Sequence, residues 1–142
     1  MPSTREFLTP VLLLVAWTLV MWLWLYATRL PAMQRHGIAP QEARHPGSVA
    51  QRMPEHARSV ADNYNHLHEQ PTIFYALMFF IVLTGGGDST ALALAWAYFA
   101  LRVVHSVVQA TINLVVLRFS VFALASLVLF ALTIRELLRY AA

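Results

Sequence analysis

Two polar stripes lie in segments that otherwise read as membrane helix. In the first, Arg58, Asp62, Asn65 and Glu69 fall at offsets of 0, 4, 7 and 11 residues. At about 100° per residue a helix gathers them within roughly 60° of one another. In the second, Arg102, Ser106, Gln109 and Asn113 repeat those offsets, with His105 flanking the face and Tyr98 one turn before it. Ionisable groups in hydrocarbon are costly unless they face a bundle interior or a wet cavity. The two stripes are therefore expected to face each other across an intramembrane polar cleft. A narrow stripe of arginine, carboxylate and amide belongs against a partner helix or a polar ligand, and arginine is the residue suited to gripping carboxylates bidentately. The plain structural alternative is an ion-pair ladder, Arg58 with Asp62 at i,i+4.

Other constellations point away from rival chemistries. In His66-x-His68-Glu69 the two histidines would project about 160° apart on a helix, so one metal ion could not take both. No metal site is expected. No Ser-His-Asp or Cys-His arrangement has a plausible nucleophile setting. Trp17, Trp22, Trp24 and Trp96 sit inside apolar runs and read as packing or interface anchors. The run Gly85-Gly86-Gly87 lacks the Lys-Ser/Thr ending of a phosphate loop and reads as a turn, with Ser89 or Thr90 as the next N-cap.

The elements that must position these residues follow from composition. Of the 142 residues 58% are hydrophobic and only 12% charged, against roughly 25% charged in soluble chains. This describes one domain, residues 1–142, of an integral membrane protein. Helices are expected at about 7–30, 55–84, 90–112 and 115–139, giving an all-α, four-helix antiparallel transmembrane bundle. The first apolar run is too long for a signal-peptide core and reads as retained. Cysteine is absent, so any sulfur chemistry must come from a substrate.

All ten basic residues are arginine, spread over loops and helix ends, which argues against nucleic acid. Arg29, Arg35, Arg44, Arg52, Arg58 and Arg118 mark one membrane side; Arg5, Arg135 and Arg139 mark the other. The excess predicts a cytoplasmic first loop, Pro31 to Pro54, with both termini outside. That loop is polar, is broken by Pro40, Pro46 and Gly47, and could fold over the mouth of the bundle.

The same residues carry a resemblance. Arg102-x-x-His105-Ser106, followed sixteen residues after Arg102 by Arg118-Phe119-Ser120, resembles the MAPEG superfamily (membrane-associated proteins in eicosanoid and glutathione metabolism), in particular its bacterial microsomal glutathione transferase-like branch. The stretch Arg58 to Pro71 is similar to the family's Arg-x-x-x-Asn-x-x-Glu-x-x-Pro segment, and Arg29 stands where the family closes helix one with an arginine. Here the Asn and Glu fall at offsets 7 and 11 instead of 4 and 7, and Gln109 stands where a tyrosine is common.

The resemblance implies a homotrimer with sites between subunits, in a bacterial inner membrane. It implies glutathione, or a similar anionic thiol, as co-substrate, bound by Arg29, Arg58, Asn65, Glu69, Arg102, His105 and Gln109. Arg118 is the implied catalytic residue, holding the thiolate for attack on a hydrophobic small molecule; no metal is called for. A membrane glutathione transferase or peroxidase is the leading expectation. A non-catalytic membrane protein binding a lipid or an anion in the same cleft, and a structural protein with buried ion pairs, remain open.

Overall fold

The computed structural model describes residues 2–45 and 47–142. The helices are α1 (Thr4–Arg35), α2 (Glu55–His66), α3 (Gln70–Leu83), α4 (Ser89–Ala110) and α5 (Val115–Ala141), with two single-turn 3-10 segments between α1 and α2. Among the described residues there is no strand. Helices α1, α4 and α5 are long and apolar enough to cross a membrane. At 14 residues α3 is too short to do so alone; α2 and α3 are two halves of one broken span. The bundle is the all-α membrane architecture that the sequence predicts.

Buried positions recur at heptad spacing. On α1 they include Phe7, Leu14 and Met21; on α4 they run Ala91, Ala95, Tyr98, Arg102, His105 and Gln109. Alternating steps of three and four residues make the seam of a left-handed bundle. The seam of α4 changes character midway. Its first half is apolar, with Tyr98 stacked on Phe74 at 4.4 Å between centroids; its second half is polar. Large apolar side chains such as Leu12, Leu23, Leu83, Val116 and Phe130 point outward, which suits a hydrocarbon solvent.

Several boundaries differ from expectation. Helix α1 continues through Pro31 to Arg35, because its last turn buries Ala32 and Met33 against Ile38, Val49, Met53 and Ala57 in a small separate core under the first loop. The second span is interrupted after His66. Pro71, in the first turn of α3, has no N–H for the Leu67 carbonyl and suits the start of a new helix, where its fixed φ is accommodated and no N–H is needed. The N-cap of α4 is Asp88, whose carboxylate accepts the Ala91 N–H at 2.9 Å, not Ser89 or Thr90. Asn113 lies beyond α4, in the turn before α5, with φ 45°; an asparagine tolerates that left-handed conformation better than most residues.

Candidate functional site

At the end of the bundle that carries the first loop, α2 presents two faces. One is wet. Arg58, Asp62 and Asn65 join Arg29 and the loop residues Gly47, Val49, Ala50 and Met53 around a groove of about 300 Å³. Arg58, Asp62 and Asn65 are exposed and Arg29 is half-buried. Among the described residues neither arginine makes an ion pair, and the Arg58–Asp62 ladder is not formed. Two cations, one carboxylate and one amide thus share a groove with their charges uncommitted.

The other face of α2 is dry. Ser59 and Asn63 are buried against α4 and the α4–α5 turn. Asn63 Nδ2 donates to Ser106 Oγ at 2.6 Å, and Asn113 Nδ2 donates to Ser59 Oγ at 3.2 Å. Arg102 is fully buried and donates from Nη2 to the His66 carbonyl at 3.0 Å. Its guanidinium lies 5.6 Å from the centre of the Phe122 ring. His105, 1% exposed, sits with its ring 5.9 Å from that of His66. Among the described residues, several polar atoms of this cluster have no protein partner: Arg102 Nε and Nη1, His105 Nδ1, Gln109 Oε1 and Asn63 Oδ1.

The expectation of two facing stripes is therefore corrected. The α4 stripe is buried as predicted through Arg102, His105, Ser106 and Gln109. The α2 face that meets it is not Arg58, Asp62, Asn65 and Glu69 but the set one residue later: Ser59, Asn63 and the end of the helix at His66. The physical reason is desolvation. Both sets share one period, and hydroxyl and amide groups enter a dry seam at far lower cost than Arg, Asp and Glu. The break after His66 also removes Glu69 from the helical count; its side chain is 64% exposed, 3.7 Å from His66 Nδ1. Arg102, His105 and Gln109 line the dry cluster and not the groove.

Arg118, near the start of α5, is half-buried and donates from Nη1 to Asn113 Oδ1 at 2.7 Å. A chain of hydrogen bonds thus runs Arg118–Asn113–Ser59, reaching α2 on its dry side. Within one chain Arg118 approaches a different face of α2 from the one that carries the groove.

Sequence reasoning missed Asn63, Ser59 and Gln70. Gln70 Nε2 donates to Ser126 Oγ at 2.7 Å, while its Oε1 accepts the Tyr98 hydroxyl at 3.3 Å. The available signal was a second stripe, Ser59, Asn63, His66 and Gln70, at the same 0, 4, 7, 11 spacing as the charged one. Also missed was Glu136, 2% exposed at the opposite end. It accepts from Arg139 at 2.8 Å and pairs with Arg135 at 3.3 Å; Arg135 also pairs with Asp88, and Arg139 donates to Thr84 Oγ1 at 2.8 Å.

The MAPEG family model matches residues 7–138, which includes the groove, the dry cluster and Arg118. Neither a curated protein nor a solved structure matches the chain.

Proposed function

The chain belongs to the MAPEG family, and from that premise we propose that it is a membrane-bound glutathione transferase, joining the thiolate of glutathione to hydrophobic electrophiles dissolved in the bilayer. The observation that carries this reading is the groove in which Arg29 and Arg58, neither ion-paired among the described residues, stand beside Asp62 and Asn65. Glutathione has two carboxylates and one ammonium. The arginines suit the carboxylates by charge-assisted hydrogen bonds, Asp62 suits the ammonium, and Asn65 suits a peptide group.

Arg118 is the residue to hold the sulfur, because a neighbouring cation favours a thiolate over a thiol. The thiolate then attacks an electrophilic carbon: the S–C bond forms as the leaving group departs with its electron pair. The resemblance implies a homotrimer with sites between subunits, and in such an assembly a neighbour's Arg118 would complete each groove, since Arg118 and the groove meet α2 on different faces of one chain. The arginine excess at the loop end supports a cytoplasmic groove, where glutathione is abundant, with both termini across a bacterial inner membrane.

The same geometry favours one second reading. Arg118 already has a hydrogen-bond partner in Asn113, and Gln109 supplies no phenol, which suits a non-catalytic protein that binds a lipid or an anion in the groove. Thiolate absorbance at the ultraviolet edge, measured as glutathione is added to purified protein, separates the two. For an enzyme, Arg118→Ala keeps glutathione binding, abolishes the thiolate signal, and slows conjugation of a chloronitrobenzene about 100-fold, the scale of one electrostatic stabiliser. Binding without any thiolate signal in the parent protein would select the binding-protein reading. Loss of binding with unchanged turnover in Arg118→Ala would make Arg118 a carboxylate ligand.

A further inference from the structure

Arg102 is a buried cation with no carboxylate. The nearest candidate, Glu69, points its side chain outward, and among the described residues Arg102 makes no ion pair. Such a charge is destabilising unless something else compensates it. Two features do. The first is the C-terminal end of α2, where unsatisfied carbonyls and the helix dipole concentrate negative partial charge; the His66 carbonyl accepts from Arg102 Nη2 at 3.0 Å and otherwise receives only a long bond from the Glu69 N–H at 3.4 Å. The second is the face of the Phe122 ring, a favourable seat for a guanidinium.

The need runs in both directions. Carbonyls freed where a helix is interrupted against a buried seam are out of reach of water and require a protein donor. Leu67 to Glu69 form that break, with Glu69 at φ −92° and ψ −97°, outside helical geometry. Arg102 is the donor, reaching it from the opposing seam of α4.

We propose that Arg102 is a positioning residue, not a ligand of the substrate: it caps α2 from inside the bundle, holds the break after His66, and so sets the angle at which Arg58, Asp62 and Asn65 meet Arg29 across the groove. The consequence for glutathione rests on the function proposed above; the cap itself does not. Lys at this position keeps one charged donor for the His66 carbonyl, whereas Met keeps the stem and removes the donor.

The chain has no cysteine, so paired labels can be introduced cleanly. Spin labels at His56→Cys and Leu83→Cys, both exposed positions, report the distance across the break in lipid nanodiscs. A straight helix between them would span about 40 Å. Parent protein and Arg102→Lys are expected to share one narrow distribution shorter than this. Arg102→Met, and Arg102→Gln should the Met variant fail to fold, are expected to broaden the distribution or move it toward the straight-helix value. An unchanged distribution in the variant that folds overturns the proposal.

Calorimetric titration on the same proteins, without labels, separates positioning from contact. Glutathione, γ-glutamylcysteamine and cysteinylglycine, the last two each lacking one of glutathione's carboxylates, are expected to weaken by one common factor of about tenfold in Arg102→Met. A variant that loses affinity for glutathione but not for one truncated analogue places Arg102 on the missing carboxylate and overturns the proposal. If the parent binds none of the three, the transferase reading fails while the spin-label distances still decide the cap.

Discussion

The two ends of the bundle treat charge in opposite ways. At the turn between α3 and α4, Asp88, Arg135, Glu136 and Arg139 form one connected net, two anions against two cations. At the loop end Arg29, Arg58 and Arg118 make no ion pair among the described residues, and neither does Arg102 deeper in the same half. A balanced net fastens α5 to the turn and leaves little field for a ligand. An unbalanced set leaves a positive potential, and an anion that reaches the groove meets Arg29 and Arg58 with no ion pair to break among the described residues. Charge spent within the fold yields stability; charge held back yields binding.

The contrast can be broken most readily at Glu136. Glu136→Ala removes a buried carboxylate from between two arginines and should lower unfolding stability in micelles by about 3 kcal/mol, with glutathione affinity unchanged. A variant as stable as the parent would make the net ornamental. The complementary substitutions are Arg29→Gln and Arg58→Gln. Each should weaken glutathione binding about tenfold, the loss of roughly one charge-assisted hydrogen bond, and leave stability within about 0.5 kcal/mol. If either unfolds the protein as readily as Glu136→Ala, the loop end is structural too.

The smallest effect sharpens the comparison through pH. The Asp88 carboxyl is held below its ordinary value of 3.8, first by the Ala91 N–H and then by the charge of Arg135, against a partial opposing effect of burial. A depressed carboxyl contributes stability that is complete above its unfolded value and is lost as pH falls through its folded value. Unfolding stability should therefore not change on account of this group between neutrality and about pH 5, and its contribution should fade below about pH 4. Asp88→Ala, which removes the N-cap of α4, should cost about 1 kcal/mol at neutral pH and remove this part of the acid dependence. An acid profile identical in the variant would assign it to another group.

Much of the architecture was legible in the residues. Apolar runs of span length on α1, α4 and α5, the glycine turn and a buried polar seam on α4 all appear in the structure, and the family read from the pattern around Arg102 and Arg118 is the one whose model matches. What misled was the choice between stripes on α2. Arg58, Asp62, Asn65 and Glu69 carry the more conspicuous chemistry, and conspicuous chemistry invites placement inside. The quieter set, Ser59 and Asn63 with the His66 carbonyl, is the one that packs against α4. Glu136 was overlooked for a related reason: flanked by Arg135 and Arg139 near the end of a helix, it reads as surface charge until the α3–α4 turn closes over it.

By itself the sequence determined the solvent, the class and the periods: a membrane protein of helices, with polar residues grouped on common faces. Hydropathy and spacing depend only on neighbours along the chain, so they survive without a fold. Which face turns inward, where the second span breaks, and which arginines find partners were decided only by the tertiary structure. A helical period states which side chains travel together; burial depends on the desolvation of that whole face set against what the neighbouring helix offers in return. For α2, α4 offers Ser106 to an amide and Arg102 to a carbonyl, and no carboxylate for a second arginine. The charged stripe was left to the groove.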